Sequence, residues 1–347
     1  MPCSSRPPAR FIGCDVGKTS ITVFDSATGL SRCLANRPSL LRSFARTLDA
    51  TCLVVCEATG GYEAKLLAAM LAAEVPAHRA DARKVKAFIR SFGTLGKSDA
   101  IDAAALARYG AERHHGLARW QAPDPVREVL QTLVLTRRDL VEQRHGHSNR
   151  LQAPGAGAVA AALRSLMRAL DAQLRALDAR IAALLQRHPA LQRDVRVLRD
   201  MHGIGPVTAA TLLALMPELG HLSGRQAASL AGVAPHPHDS GQRNGYRKTR
   251  GGRPEVKRTL FMAALSASRG TGKLAETYRS LVARGKKPIV AITAVMRKLI
   301  VISNAKLRDA RAIDEAIFGR FPPITPCKRA PRSRKARTGD NARCRIV

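Results

Sequence analysis

Apolar positions change their period twice along the chain, and each change marks a different kind of structure. From Arg10 to about Gly116, short β-type runs alternate with helical patterns, which predicts an α/β domain. Phe11 to Val16 and Ser20 to Phe24 flank Gly17-Lys18-Thr19 and predict a tight hairpin, with Arg32 to Ala35 as a third strand. Leu40, Leu41, Phe44 and Leu48 then recur at helical spacing. Cys52 to Cys56 is wholly apolar and ends at Glu57, the pattern of a central strand buried on both faces. Gly60-Gly61 introduces a helix through Leu66, Leu67, Met70 and Leu71, and a short strand is expected around Ala77 to Arg79. Arg83 to Phe92 and Ser98 to Tyr109 read as two further helices, split by Gly93 and Gly96.

Between Pro125 and Pro189 the strand signal vanishes. Val126, Val129, Leu130, Leu133, Leu140 and Val141 form one helical stripe. Leu163, Leu166, Leu170, Leu174, Leu177, Ile181 and Leu184 form another, close to heptad order with one stutter. Two long antiparallel helices broken near Pro154-Gly155-Ala156-Gly157 follow, either as an intradomain hairpin or as an intermolecular coiled coil. Val195 to about Arg311 predicts a further helical domain with one conspicuous loop, and the Pro-, Arg- and Lys-rich stretch beyond Phe321 predicts a disordered tail. The expected divisions are therefore residues 1–120, 121–190, 191–318 and 319–347.

Composition adds the partner. Among 347 residues, 58 Lys and Arg face 26 Asp and Glu, a formal charge of +32. Cations recur in every segment, so a basic tail on a neutral enzyme is excluded, and nucleic acid is the leading partner. Aromatic residues make up only 4%, which disfavours many stacked single-stranded bases and favours backbone contact and shape. No stretch approaches the ~20 uninterrupted apolar residues of a membrane span. MPCSSRPPAR lacks the apolar core of a secretory signal, and the seven cysteines form no CxxC pair, so a soluble protein in a reducing, cytoplasmic and nucleoid-associated setting is expected.

Four carboxylates carry the candidate chemistry. Asp15 ends the first apolar strand and Glu57 ends the buried run, and a buried acid is costly without a cation or donor. Asp99 and Asp102, three apart in GKSDAIDAAALARYG, share one helix face, where like charges repel. Helix capping after Ser98 is the structural explanation of that pair, and a divalent metal is the chemical one. An acid on a hairpin strand, one on a central strand and two on a late helix follow the order of the ribonuclease-H-like α/β nuclease fold. Such acids hold two Mg²⁺ or Mn²⁺ ions for phosphodiester chemistry, and no His or Cys cluster competes for the role.

In the second half, MHGIGPVTAATLLALM places Gly203 and Gly205 in a turn between helices, a helix-hairpin-helix pattern that offers backbone N–H groups to a phosphate. Downstream, Ser240-Gly241 lies beside a cationic run of Arg243, Arg247, Lys248, Arg250 and Arg253, with Lys257 on the following helix. That serine reads either as a turn residue or as a nucleophile whose phosphate the arginines offset. His236 and His238 read as loop residues.

FIGCDVGKTS, VVCEATGGYE and GKSDAIDAAALARYG, followed by MHGIGPVTAATLLALMPELG and LAGVAPHPHDSGQRNGYRKTRGGRPEVKRTLFMAALSASR, together resemble the DEDD-type insertion-sequence transposases, the group that includes the Piv-like DNA invertases. The resemblance covers most of residues 10 to 305. It implies that Asp15, Glu57, Asp99 and Asp102 form the tetrad holding Mg²⁺ and that Ser240 is the serine of the C-terminal domain. It further implies donor and target DNA, a bridge RNA that pairs with both, and a transient serine–DNA phosphodiester. The active site would join the tetrad of one protomer to the serine of another, in a homodimer or homotetramer. Two other readings stay open: a hydrolytic, junction-resolvase-like nuclease using only the four acids, and a non-catalytic nucleic-acid-binding protein whose acids are structural.

Overall fold

The computed structural model describes residues 7–93, 96, 98–237 and 247–318, the last five by backbone alone. It forms two compact units that part between Ala122 and Pro123.

The first unit is built on a five-stranded sheet. Strand β1 (Arg10–Val16) turns through Gly17 into β2 (Ser20–Asp25), which pairs in turn with β3 (Ser31–Ala35), all antiparallel. On its other edge β1 pairs in parallel with β4 (Cys52–Glu57), and β4 with β5 (Ala77–Ala80), giving the order β3-β2-β1-β4-β5. Alternation sorts the side chains. Ile12, Cys14 and Val16 join Cys52, Val54 and Cys56 on one face, under helices α1 (Pro38–Ala45) and α2 (Ala64–Ala72) with their Leu41, Leu66 and Met70. Leu53 and Val55 face the other way, toward Val85 and Phe88 of α3 (Ala82–Arg90) and Leu106 and Tyr109 of α4 (Asp99–Arg113). β4 is thus buried on both faces, as its apolar run predicts. This mixed sheet flanked by helices is consistent with a ribonuclease-H-like α/β domain.

The second unit is mainly helical. Its first two helices, α5 (Pro125–Leu151) and α6 (Ala160–Arg187), pack against each other, and the ion pairs Arg137–Asp178 and Arg144–Asp171 fix an antiparallel register. The two apolar stripes therefore meet within the chain. Leu130, Leu133 and Val134 of α5 and Leu177, Ile181 and Leu185 of α6 then continue into one core with Leu191 and Leu198 of α7 (Pro189–Arg199), Leu212 of α8 (Pro206–Leu215), Leu260 of α10 (Pro254–Arg269) and Leu299 of α12 (Pro288–Phe318). Because these side chains share one core, no break between compact units falls at the expected division after residue 190. Helices α9 (Gly224–Leu230) and α11 (Lys273–Ala283) complete the unit. The stretch Pro288–Ile313 is long and apolar enough to cross a membrane by length and composition, which a search for uninterrupted apolar runs overlooks. Its Ala291, Val295, Leu299, Ile300 and Leu307 are fully buried here, as in the core helix of a globular unit. The expected tail, residues 319–347, lies outside the described residues.

Candidate active site

Register brings the strand acids together. β1 and β4 run parallel with Cys14 opposite Cys56, so Asp15 and Glu57 occupy the next matched positions, side by side on the face away from α1 and α2. Both are half-buried.

Helix α4 covers that face. Gly13 is seated under it so closely that a Cβ there would lie 1.8 Å from the Ala103 carbonyl oxygen and 2.5 Å from the Ala107 nitrogen. Further back, Gly110 meets Val55 and Phe11. The helix therefore runs opposite to β1. Moving two strand residues from Gly13 to Asp15, about 6.6 Å, corresponds to four or five helical residues back from the Ala103–Ala107 pair. That step reaches the first turn of α4, which holds Asp99 and Asp102. All four predicted acids thus stand at one end of the sheet. Ser98 supplies the N-cap, its hydroxyl accepting from the Ile101 N–H at 3.3 Å, so the cap does not depend on Asp99. Glu57, Asp99 and Asp102 form no ion pair among the described residues; Asp102 is half-buried and Asp99 exposed.

Two residues that sequence reasoning passed over brace this end. Asn36 donates through Nδ2 to the carbonyls of Gly17 (2.9 Å) and Tyr62 (3.2 Å), tying the β1–β2 turn to the loop after β4. Glu63 is buried, and its Oε2 accepts from the Gly61 N–H at 2.9 Å and the Thr59 N–H at 3.2 Å, while Oε1 faces Arg79 at 3.5 Å. Burial pushes its carboxyl up, but the N–H groups of Glu63 itself, Thr59 and Gly61 outweigh burial and hold it below the usual range. VVCEATGGYE thus contains two acids with different tasks: Glu63 folds the loop that follows Glu57. A lone acid after two glycines carries no signal that would single it out.

Among the described residues, no three His, Cys, Asp or Glu side chains converge on one point as metal ligands. The donor set at the sheet end is nonetheless all carboxylate oxygen, the chemistry of a hard cation such as Mg²⁺ or Mn²⁺.

In the second unit Ser240, Gly241, Arg243 and His238 lie outside the described residues. What frames them is described: β6 (Pro235–His236) pairs antiparallel with β7 (Lys248–Thr249), closing the base of that loop. Arg247, Lys248 and Arg250 are exposed there. Arg253 and Lys257 are engaged instead. The Arg253 fork donates to both oxygens of Glu218, at 2.6 and 2.8 Å, and to the Leu215 carbonyl. Lys257 Nζ donates to Thr249 Oγ1 at 3.0 Å, pinning β7 to α10. Both are thus placed in the scaffold of the loop. Gly203 has a φ of +92° and lies against α10, where a Cβ would meet the Ala263 carbonyl at 2.5 Å; Gly205 caps α8. Gly203 therefore serves close helix packing, whereas a Cβ at Gly205 would meet nothing.

Comparison with known proteins points the same way for both units. The model of the transposase IS116/IS110/IS902 family matches residues 195–279, and a DEDD transposase model of the IS110 type matches residues 12–154. The pilin gene-inverting protein of Moraxella lacunata is 29% identical over 274 residues, 76% of this chain and 82% of that protein. The protein of the same description in Moraxella bovis has the same identity and coverage. An uncharacterized 43.6 kDa protein of insertion element IS110 from Streptomyces coelicolor is 32% identical over 216 residues, 59% of this chain and 49% of that one.

Proposed function

The chain belongs to the IS110-type family of DNA transposases and site-specific recombinases, and from that premise we propose how its residues divide the chemistry of strand exchange. The observation that carries the reading is the common end of the sheet, where Asp15 and Glu57 stand side by side beneath the α4 turn holding Asp99 and Asp102. These four acids would hold Mg²⁺ or Mn²⁺, which when bound offsets charge on the phosphodiester and favours the ionised attacking oxygen. Ser240 is the nucleophile. Its Oγ forms a bond to phosphorus as the bond to the leaving oxygen of the DNA strand breaks, and that oxygen departs with a proton. Attack by a hydroxyl of another strand reverses the step and frees the serine. Arg243, Arg247, Lys248 and Arg250 offset phosphate charge, while Glu218 holds Arg253 and so the exit of the loop.

The partners are donor and target DNA together with a guide RNA that pairs with both, in a homodimer or homotetramer. Gly203 and Gly205 present the α8 N-terminus to a backbone phosphate in this reading. A Ser240→Ala protein incubated with DNA carrying the element ends should form no covalent protein–DNA adduct and no cut strand, while a mixture with Asp15→Asn protomers should regain some cutting. Wild-type cleavage by Ser240→Ala refutes the serine and leaves hydrolysis by the acids.

A further inference from the structure

The predicted nucleic-acid contacts all fall in the second unit, yet the first unit holds a cationic recess of its own. A cavity of about 500 Å³ opens between α3 and the C-terminal part of α4. Phe88 and Tyr109, 7% and 8% exposed, reach its floor from the core, and Ala87 and the exposed Lys84 and Arg113 line it beside them. The two rings meet edge to face at 5.2 Å, and the Arg113 guanidinium lies 5.9 Å from the Phe88 ring. Among the described residues no carboxylate lines the cavity. The nearby acids are spent elsewhere: Glu112 pairs with Arg108 at 2.8 Å, and Asp81 caps α3. Lys84 and Arg113 are exposed and form no ion pair among the described residues.

The rest of α3 repeats the sign. Arg83, Lys86 and Arg90 are exposed along the helix, and Val85 and Phe88 point inward. A ligand that answers this arrangement carries regular negative charge along α3 and one flat, apolar-faced group for the recess. The volume falls within the ~300–1,000 Å³ range of small-ligand pockets. Paired bases cannot enter such a recess without leaving their stack. We propose that this recess is a binding subsite for single-stranded nucleic acid, taking one unpaired base against Phe88 and Tyr109, with flanking phosphates on Lys84 and Arg113. Its distance from the acids follows from the helix: eleven residues from Asp102 to Arg113 are ~17 Å along α4. A strand held here is anchored at a fixed offset from the proposed cleavage site, and in that respect the inference rests on the function proposed above.

The test is ultraviolet cross-linking of the full chain to 12-nucleotide strands carrying 5-iodouracil, with the adducts mapped by mass spectrometry. DNA and RNA strands form separate arms, and a fully paired DNA duplex forms a third. Adducts are expected on Phe88 or Tyr109 from a single strand and not from the duplex, and the better of the DNA and RNA arms identifies the strand. Lys84→Gln with Arg113→Gln should cut that adduct at least fivefold and lower the salt slope of single-strand binding by ~1.4, at ~0.7 per phosphate. Ala87→Phe, which fills the recess, should remove the adduct and leave the slope. Single-strand adducts confined to other segments, or an equal yield at Phe88 and Tyr109 from the duplex, overturn the subsite and leave the transposase reading standing. Failure of every nucleic acid to bind overturns both.

Discussion

Gly13 sets the distance between the strand acids and the helix acids, so its replacement tests the candidate site without touching a carboxylate. In Gly13→Ala the new Cβ meets the Ala103 carbonyl oxygen at 1.8 Å and the Ala107 nitrogen at 2.5 Å. A carbon approaches a carbonyl oxygen to ~3.3 Å at best, so α4 must lift by about 1.5 Å. A gap of that size forfeits most of the dispersion between α4 and the sheet, where Ala103, Leu106 and Ala107 are buried. The expected loss is on the order of 3 kcal/mol, seen as a fall of roughly 12–20 °C in the melting of the first unit. Cleavage should fall at least ~100-fold, since a displacement of ~1 Å at a reacting group costs that much. Affinity for DNA should hold. The obstacles are main-chain atoms, so Ala103→Gly or Ala107→Gly cannot rescue it. Gly110→Ala is the contrast, for its Cβ would meet Val55 Cγ2 at 2.9 Å and Phe11 Cδ1 at 3.3 Å. Adding Val55→Ala should recover ~1 kcal/mol relative to the sum of the single losses. A Gly13→Ala protein with wild-type melting and cleavage refutes the placement of α4.

Three other outcomes follow from the second unit and the charge. Asp194 is 1% exposed and pairs with Arg193 at 2.9 Å and Arg311 at 2.6 Å, so Asp194→Ala should cost ~3–5 kcal/mol in urea unfolding by removing the buried carboxylate that two arginines share; a loss under ~1 kcal/mol contradicts the pairing. Burial pushes the Glu218 carboxyl up, but the hydrogen bonds and charge of Arg253 outweigh it and hold it below the usual range. Its stabilisation is therefore full above the unfolded value of ~4.3 and is lost as pH falls through the lower folded value. Arg253→Ala should flatten that acid limb in melting curves taken from pH 6 downward, and an unchanged limb assigns the acid sensitivity elsewhere. Affinity for DNA should fall ~10³-fold or more between 50 and 200 mM salt if six or more phosphates are neutralised, and a flat profile removes backbone contact as its source.

The strands and the long helices were legible because period and burial agree: β4 is apolar and buried on both faces from Cys52 to Cys56, and α6 repeats leucine by threes and fours. Asp15 and Glu57 stood out as acids closing apolar strands. Their adjacency did not, because β1 and β4 are separated in sequence by a hairpin and α1, and no local pattern states which strands become neighbours. Gly13 was only one strand residue until α4 was laid across it. Asn36 and Glu63 were invisible for a related reason, since their partners are main-chain atoms that any sequence supplies. Arg253 was read by its charge, but charge alone does not tell whether an arginine faces a phosphate or, as here, a glutamate 35 positions away. The division expected at residue 190 rests on a helical period, which says which face is apolar and not how many helices share the core.

Acids in so basic a chain should find cations easily, and most of those described do. Asp25 pairs with Arg10, Glu63 with Arg79, Asp178 with Arg137 and Glu218 with Arg253. Glu57 and Asp102 are half-buried and have no such partner among the described residues, although Lys and Arg outnumber Asp and Glu by 58 to 26. A partly desolvated carboxylate without a cation costs stability, and Asp102 also stands three residues from Asp99 on one helix. If these acids were structural, Asp102→Asn would weaken the fold and divalent metal would not matter. If they are reserved for a metal, the signs reverse. Asp102→Asn should leave melting equal or slightly higher without metal, because a like-charge repulsion is gone. Mg²⁺ or Mn²⁺ should then stabilise the wild type by ~2.7 kcal/mol at one hundred times its dissociation constant and leave Asp102→Asn unmoved. Melting curves of the two proteins with and without Mn²⁺ read both effects at once. Equal metal-induced shifts in the two would remove Asp102 from the metal site, and a destabilised Asp102→Asn with no shift in the wild type would establish the structural reading.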